Sequence, residues 1–411
     1  MKRVLAAMTA ALLIISLGSS VALANGGSSA SARLCEKGGY RDSADLIGSF
    51  TGTVGPFASQ GACLRYVARG GVLYVPIGIV VPTAFDWHVA GLRDALAAAG
   101  DSAAILLSQD TATEKTAVET LIRRGVRVLI LAPQDGAAAA TVAREARAAG
   151  VKVIAYDRLI LNTAAVDYLV TFANPAVGAA MAQYLIDTAG APAGNNLYLY
   201  AGNPADNNTF VFFEGSWERL QPRIADGTFV IRNSSEAVAL QAYPTLTHDQ
   251  QAAIIDQITT YWDYDTAHAL AVSNLGAVSS SEKTNLAILA PNDWTAIAIS
   301  DAFATDPAVT GFHVTGQDAI QPWIQSLIDG TPGMTVFKDP RTLAKDAVAG
   351  AVAFLKGRKP VQNATFNNGR IDVRSRTSAI VTVTIDNIQA ALIDTNYYQA
   401  GDFTGSWPGK P

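Results

Sequence analysis

An aspartate and an arginine stand next to each other at positions 157 and 158, close behind an apolar run over residues 151–155. The run predicts a buried parallel strand, and ligands of open α/β sheets bind just outside the carboxyl ends of such strands. A carboxylate accepts hydrogen bonds and a guanidinium donates them, so Asp157 and Arg158 together suit a ligand rich in hydroxyl groups. The alternative is an aspartate that caps a helix, beside a solvated arginine.

Polar side chains also follow nearly every other apolar run of the chain. They are Asp86 and Trp87, Gln134 and Asp135, Asp206 to Asn208, Asn292 and Asp293, Gln317 and Asp318, and Lys338. Asn donates and accepts, Asp accepts and Lys donates, whereas Trp87, Trp294 or Phe210 could stack on the apolar face of a pyranose. Each cluster alone is typical of a cap or a turn. Their recurrence in both halves favours two lobes that close on a sugar.

The elements that must position these groups alternate with a regular spacing. From residue 73 onward, apolar runs and amphipathic segments form βα units of about 25 residues each. The first strands are predicted over residues 73–81, 104–107, 126–131 and 151–156. Near-continuous apolar strands are typical of a sheet covered on both faces. The pattern predicts an α/β fold of two doubly wound parallel-sheet lobes, with loop-like insertions over residues 232–248 and 271–285.

The composition allows two domains with cores of their own, because 49% of the 411 residues are hydrophobic and 16% are charged. A net charge of −5 gives no electrostatic basis for binding nucleic acid. The sequence has no P-loop, no Gly-x-Gly-x-x-Gly after the first strand and no Gly-x-Ser-x-Gly. Its four histidines are scattered, and Asp263-Tyr264-Asp265 is interpreted as a solvated turn rather than a calcium site. We therefore expect no cofactor and no metal.

An enzyme is the alternative from a different class. Asp157 with Asp206 or Asp318 could form the carboxylate pair of a glycosidase. Arg158 and Lys338 nearby would keep such acids ionised, whereas a general acid must hold a proton. We therefore expect a binding protein and not an enzyme.

The N-terminus has the form of an export signal. Lys2 and Arg3 precede a mostly apolar stretch over residues 4–17, and Ala22-Leu23-Ala24 fits the small-x-small cleavage rule. A signal peptide over residues 1–24 predicts a protein that is soluble after cleavage, in the periplasm or at the cell surface. A permanent membrane anchor is the alternative, but the apolar stretch is short for a span.

The chain has two cysteines, Cys35 and Cys63. In an exported protein they predict a disulfide. The alternatives are two free thiols, or a lipid on Cys35, for which Ala32-Arg33-Leu34 is a poor preceding motif.

Six short motifs in order give the chain a resemblance to a known family. They are Ala155-Tyr156-Asp157-Arg158-Leu159-Ile160, Gly202-Asn203-Pro204-Ala205-Asp206-Asn207-Asn208, Ala290-Pro291-Asn292-Asp293, Gly316-Gln317-Asp318-Ala319, Met334-Thr335-Val336-Phe337-Lys338 and Phe366-Asn367-Asn368-Gly369. Over about residues 74–390 the chain resembles the exported solute-binding proteins of sugar ABC transporters, specifically the xylose-binding and multiple-sugar-binding proteins. The resemblance implies a type I periplasmic binding protein fold.

The resemblance also implies a set of ligand-binding residues. They are Asp157 and Arg158, Asn208 with Asp206 nearby, Asn292, Asp318 and Lys338, together with the first loop at Asp86 and Trp87. Two departures lie at this site: Asp86 stands where the family tends to have an arginine, and Trp294 replaces a small residue. The implied function is to bind a xylose-like pentose or related aldose for an ABC permease, as a monomer. A sugar sensor that presents its closed state to a signalling receptor is the alternative.

The family fold implies three crossings between the lobes, near Phe172, Lys338 and Phe366. The expected division is a signal peptide over 1–24, an N-terminal extension over 25–72, lobe 1 over 73–172 plus 339–366, lobe 2 over 173–338 plus 367–400, and a tail over 401–411.

Overall fold

The computed structural model describes residues 30–36, 38–41, 44–48, 52–71 and 73–410. The predicted signal peptide lies outside the described residues. In the part that the structure covers, every helix is too short or too polar to cross a membrane. The two predicted α/β lobes are confirmed, and each is a sheet covered on both faces.

The described chain starts in lobe 1, crosses to lobe 2, returns to lobe 1 and ends in lobe 2. The strands are β1 (Ala44–Gly48), β2 (Gly52–Val54), β3 (Ile77–Pro82), β4 (Ser102–Ser108), β5 (Val128–Leu131), β6 (Lys152–Tyr156), β7 (Tyr168–Phe172), β8 (Asn195–Leu199), β9 (Phe229–Ile231), β10 (Leu286–Leu289), β11 (Phe312–Val314), β12 (Thr335–Phe337), β13 (Ala364–Asn367), β14 (Asp372–Ser378) and β15 (Val381–Val383). The helices are α1 (Gln60–Ala68), α2 (Asp86–Ala99), α3 (Thr111–Arg123), α4 (Ala140–Ala148), α5 (Asn174–Asp187), α6 (Asn207–Ala225), α7 (Ser235–Leu240), α8 (His248–Ile258), α9 (Tyr264–Gly276), α10 (Asp293–Thr305), α11 (Gln321–Ile328) and α12 (Pro340–Leu355).

Lobe 1 is built on a nine-stranded sheet with the order β13-β14-β7-β6-β5-β3-β4-β1-β2. The strands from β14 to β4 are parallel, and antiparallel strands complete both edges. Helices α3 and α4 cover one face of the sheet, and α2 and α12 cover the other. Every residue of β3 is buried, as expected for a parallel strand with helices on both sides.

Lobe 2 has a smaller parallel sheet with the order β11-β10-β8-β9. Isolated parallel bridges from Val314 to Gly333 and from Gln317 to Val336 place β12 beside β11, and β15 pairs antiparallel with β12. The described part of the expected tail, residues 401–410, belongs to this lobe, because Phe403 and Trp407 are buried in its core. Their large apolar rings account for the packing.

The chain crosses between the lobes after β7, after β12 and after β14. The third crossing was expected near Phe366, and that position is wrong. β14 pairs in parallel with β7, with Ser375 opposite Leu169, so residues 367–378 belong to lobe 1. Val373 is the only aliphatic residue of β14, which is why the sequence carries no strand signal there.

The described part of the extension, within residues 30–71, pairs with lobe 1 rather than forming a separate leader. β1 pairs antiparallel with β4, with Leu46 opposite Ala104. Cys35 and Cys63 form a disulfide with their Cα atoms 5.7 Å apart, and they pack with Leu73 in a small core. β1 is short and ends in glycine, so the sequence showed no period to predict it.

The two predicted insertions contain helices. α7 lies within residues 232–248, and α9 extends into residues 271–285. Ala267, Ala271 and Leu275 are buried at four-residue intervals on α9. This spacing is a helical signal that the polar composition of the neighbouring segment obscured.

Helices α5 and α6, which follow the first crossing, pack unusually closely. A Cβ atom added to Gly178 would lie 1.9 Å from the carbonyl oxygen of Phe212, and one added to Gly215 would lie 2.1 Å from that of Pro175. Ser216 Oγ donates a hydrogen bond of 3.0 Å to the carbonyl of Gly178. Only glycine permits this backbone contact, which determines how α6 and its N-terminus are placed.

Gly178→Ala is therefore expected to destabilise the protein by at least about 1–3 kcal/mol, because the new methyl group overlaps a backbone atom that cannot rotate away. The matched control is Gly276→Ala at the end of α9, where an added Cβ meets nothing within 4 Å. That control should be neutral or stabilising by up to about 1 kcal/mol, since alanine favours a helix. Urea unfolding of both variants measures the difference, and equal stabilities would contradict the close backbone contact between α5 and α6.

Candidate ligand-binding cleft

A cavity of about 470 Å³ lies between the lobes, at the carboxyl ends of the strands of both sheets. Charged and amide side chains contribute to its wall together with aromatic rings. The residues that line it are Ala84, Phe85, Trp87, His88, Gln134, Asp157, Arg158, Phe172, Asn203, Asp206, Asn208, Phe212, Tyr261, Trp262, Asp263, Asn292, Trp294, Gln317, Asp318, Ile320 and Lys338. The position agrees with the general location of ligand sites in open α/β sheets.

Asp157 lies in a tight turn directly after β6. Its φ of 64° is in the left-handed region, which non-glycine residues rarely adopt and which costs conformational energy. Its N–H donates to the carbonyl of Val170 at 2.8 Å, and its carbonyl accepts from Thr171 Oγ1 at 2.7 Å. No α-helix begins at Asp157, so the capping alternative does not describe this residue. The turn directs its carboxylate into the cleft.

Arg158 is held from three sides. Its Nη1 donates to the carbonyl of Pro133 at 3.1 Å, and its Nε lies 2.9 Å from Asp206 Oδ2. The guanidinium also lies 4.9 Å from the centre of the Phe85 ring, a cation–π distance. Because Asp206 belongs to lobe 2, this ion pair joins the two lobes.

Asp206 and Asn208 form the start of α6. Asp206 accepts the N–H of Asn208 at 2.9 Å and is the N-cap, so a capping role and a place in the cleft coexist here. Asn208 Nδ2 donates to Asp157 Oδ1 at 3.1 Å, while its Oδ1 accepts from Asn174 at 2.8 Å. With the ion pair at Arg158, this hydrogen bond brings the lobes into direct contact, so the cleft is closed.

Lys338 and Asp318 form the other charged pair of the cleft. Lys338 Nζ lies 2.9 Å from Asp318 Oδ1 and stands between the rings of Phe172 and Phe212, at 5.8 and 5.3 Å. Burial opposes the charge of Lys338, but the carboxylates of Asp318 and Asp157 raise its pKa above the usual value. The lysine therefore stays protonated at the second crossing between the lobes.

Asn292 and Asp293 have different roles. Asn292 lines the cavity and caps α10, where its Oδ1 accepts from Thr295 N at 3.0 Å. Asp293 is buried beneath the cleft and accepts from Thr335 Oγ1 at 2.8 Å and from Ile320 N at 2.9 Å. Burial raises the pKa of Asp293 well above its ordinary value. Asp293 therefore supports the turn that carries Asp318.

Eight of the nine residues predicted for the site line this cavity. They are Trp87, Asp157, Arg158, Asp206, Asn208, Asn292, Asp318 and Lys338. Asp86 begins α2, but its side chain lies outside the described part of the structure, so its proposed role stays a prediction. Phe210 does not line the cavity as described, and its ring instead packs 4.3 Å from that of His248.

The structure adds residues that the sequence did not single out. His88 Nδ1 lies 2.8 Å from Tyr156 OH, and burial with the nearby charges of Lys338 and Arg158 lowers the pKa of His88 to about 3. This histidine is neutral and holds the first loop against the end of β6. Trp262 reaches the cavity from a turn with a positive φ of 63°, for which the sequence has no regular signal.

Two parallel-sheet lobes joined by three crossings, with a polar cavity between them, define a ligand-binding protein that closes about a hinge. The chain belongs to the periplasmic binding protein domain family, which its residues 77–359 match, and its fold is that of the type I members. The family consists of substrate-binding proteins and not of enzymes.

The chain is similar to several characterised proteins. It is 32% identical over 301 residues to the multiple sugar-binding periplasmic receptor of Rhizobium radiobacter, covering 71% of this chain and 80% of the relative. It is 30% identical over 290 residues to the D-xylose-binding periplasmic protein of Escherichia coli (strain K12), with coverages of 71% and 79%. The crystal structure of a carbohydrate transporter solute binding protein from Chloroflexus aurantiacus, in complex with D-glucose, shares 54% identity and a TM-score of 0.79, with coverages of 83% and 100%.

A buried acid lies behind the cleft. Glu114, in the first turn of α3, is 2% exposed, and its Oε2 accepts a hydrogen bond of 2.6 Å from the N–H of Gln134. Burial raises the pKa of Glu114 to about 7, although the bond from Gln134 and the charge of Arg158 act in the opposite direction. The folded protein therefore retains a proton on Glu114 at pH values where the unfolded chain has released it.

Stability is expected to fall as the pH rises from about 4.5 to about 7, because the folded state binds more protons than the unfolded state in that window. The contribution is at most about 3.5 kcal/mol, at about 1.4 kcal/mol per pKa unit. Glu114→Gln keeps an acceptor for Gln134 and removes the titration, so its unfolding free energy should depend less on pH. Glu119→Gln, at an exposed position of the same helix, is the control. Parallel curves for Glu114→Gln and the unaltered protein, measured by urea unfolding at pH 5 and 8, would contradict the role of Glu114.

Proposed function

We propose that this protein binds one monosaccharide, an aldose, between its lobes and delivers it to the permease of an ABC transporter. The observation that carries the proposal is the alternation of acceptors and donors around the closed cleft. Asp157 and Asp318 accept, Arg158 and Lys338 donate, and the amides of Asn208 and Asn292 do both. A sugar needs this mixture, because each of its hydroxyl groups both donates and accepts.

Aromatic rings complete the site. Phe85, Phe172, Phe212 and Trp262 line the same cavity as the charged groups. The apolar face of a pyranose ring can stack on such rings, while its hydroxyl groups reach the polar residues at the edge. An amino acid or a simple anion would make no stacking contact with these rings. The rings therefore favour a sugar as the ligand.

The relatives agree with an aldose but differ in the sugar. One relative is named for D-xylose, another for multiple sugars, and the Chloroflexus protein was crystallised with D-glucose. We therefore propose a xylose-like pentose or a related aldose such as glucose as the ligand. The family that the chain resembles tends to have an arginine at the position of Asp86. We expect Asp86 to influence which sugar is bound.

We also propose that residues 1–24 direct export and are removed, and that the mature protein works as a soluble monomer in the periplasm or at the cell surface. The basic residues Lys2 and Arg3 and the apolar stretch over residues 4–17 support export. A sensor that presents its closed state to a signalling receptor is the second candidate, favoured by the relative that is named a receptor. Sugar uptake by cells that lack the protein would separate transport from sensing.

Arg158→Ala is expected to weaken sugar binding at least tenfold, because truncation leaves sugar hydroxyls and the carboxylate of Asp206 without their charged donor. Isothermal titration with D-xylose, D-glucose, D-galactose and L-arabinose measures the loss. Arg93→Ala, at an exposed position on α2, is the matched control and should bind as the unaltered protein does. Absence of heat with every aldose would refute the proposed function, and unchanged affinity in Arg158→Ala would remove Arg158 from the site.

A further inference from the structure

We propose that the mouth of the cleft is a second sugar subsite, so that the protein also binds disaccharides, with one ring on the charged floor and the other against Trp87, Tyr261 and Trp294. The inference rests on the proposed function, because it needs the first ring to occupy the floor. It adds a class of substrate and a place for it.

The cavity changes character from floor to mouth. The floor carries the buried side chains of Asp157, Asn208 and Lys338. At the mouth, Trp87 from lobe 1 is 37% exposed, and Tyr261 and Trp294 from lobe 2 are 52% and 49% exposed. Large rings that remain exposed on both sides of one opening form a surface that a flat, partly apolar ligand can fill.

The exposure of these rings is unusual for this protein. In the described residues two tryptophan side chains are exposed, Trp87 and Trp294. Both line this cavity. Trp87 lies at the start of α2 in lobe 1, and Trp294 lies at the start of α10 in lobe 2. Closure of the lobes therefore brings both rings to one mouth.

The backbone that carries Tyr261 adopts a conformation with an energetic cost. Tyr261 and Trp262 have φ values of 53° and 63°, which bulky residues rarely adopt. The preceding residue pair fixes the turn: Thr259 Oγ1 donates to the carbonyl of Gly202 at 2.7 Å, and Thr260 N donates to that of Ala201 at 2.8 Å. Such strain persists where the surrounding structure enforces it, most often at functional sites.

On the opposite side, the Trp87 ring is also oriented. Its Nε1 donates to the carbonyl of Ala84 at 3.1 Å, and its ring lies 4.0 Å from that of His88. A ring that is already fixed loses little conformational entropy when a ligand stacks on it. The mouth is therefore prepared for a ligand before the ligand arrives.

The volume agrees with two rings. The cavity of about 470 Å³ has room for about fifteen water molecules at about 30 Å³ each, more than one aldose displaces. Asp263 also lines this part of the cavity, and its Oδ1 accepts from Thr266 N at 2.8 Å. The second carboxylate oxygen of Asp263 can accept from a hydroxyl group of the outer ring. A disaccharide uses both the floor and the mouth, whereas a monosaccharide uses the floor.

The experiment is isothermal titration of the full mature chain with D-glucose, D-xylose, cellobiose and xylobiose. The unaltered protein should bind at least one of the disaccharides. In Trp294→Ala, the ratio of the disaccharide Kd to the Kd of its monosaccharide should rise at least tenfold. Trp294 is half exposed in the first turn of a helix, where alanine is well tolerated. Tyr243→Ala, at an exposed tyrosine outside the cavity, is the control and should leave the ratio unchanged.

Two results would overturn the subsite. Monosaccharides could bind while neither disaccharide does, or Trp294→Ala could leave the ratio of the two Kd values as it is. Both leave the proposed monosaccharide function standing. If no sugar of either size binds, the proposed function itself fails, and the subsite fails with it.

Discussion

Lys338 carries its charge inside the protein, and the arrangement of the cleft depends on how that charge is balanced. Asp318 of lobe 2 lies 2.9 Å from its ammonium group, and Asp157 of lobe 1 also raises its pKa. Removing Asp318 would leave a buried cation without its ion-pair partner, which is far more costly than an exposed one. Because Lys338 lies at the second crossing, carboxylates of both lobes balance its charge in the closed cleft.

The two lobes position their acids in the same way. Asp157 and Asp318 each follow a strand in a turn with positive φ, at 64° and 99°. The N–H of each donates to a carbonyl of the next strand in the sheet, Val170 at 2.8 Å and Val336 at 2.9 Å. These hydrogen bonds hold a backbone conformation that aspartate would otherwise avoid, and they do so without using the carboxylates. The carboxylates stay available for Lys338, Asn208 and a ligand.

The sequence predicts the fold and most of the site because both produce local patterns. Continuous apolar strands followed by polar residues identified the two lobes, and Asp157, Arg158, Asn208 and Lys338 lie where strand ends must meet. Other parts have no local signal. β14 carries one aliphatic residue and is a strand because β7 offers it an unpaired edge. Trp262 enters the cleft through a left-handed turn that depends on Thr259 and Thr260. His88 takes its place through a contact with Tyr156, 68 residues away, which no local pattern indicates. Contacts between residues distant in sequence decided these cases.

The N-terminal extension alters how lobe 1 ends. Without β1, the parallel strand β4 would present a row of unpaired N–H and C=O groups, which is a template for pairing with a second molecule. β1 covers that row, and the outermost strand becomes β2, which has three residues. The disulfide between Cys35 and Cys63 ties neighbouring parts of the extension together. On this side of the sheet the exposed edge is therefore three residues long instead of the seven of β4, which shortens the template for pairing with a second molecule.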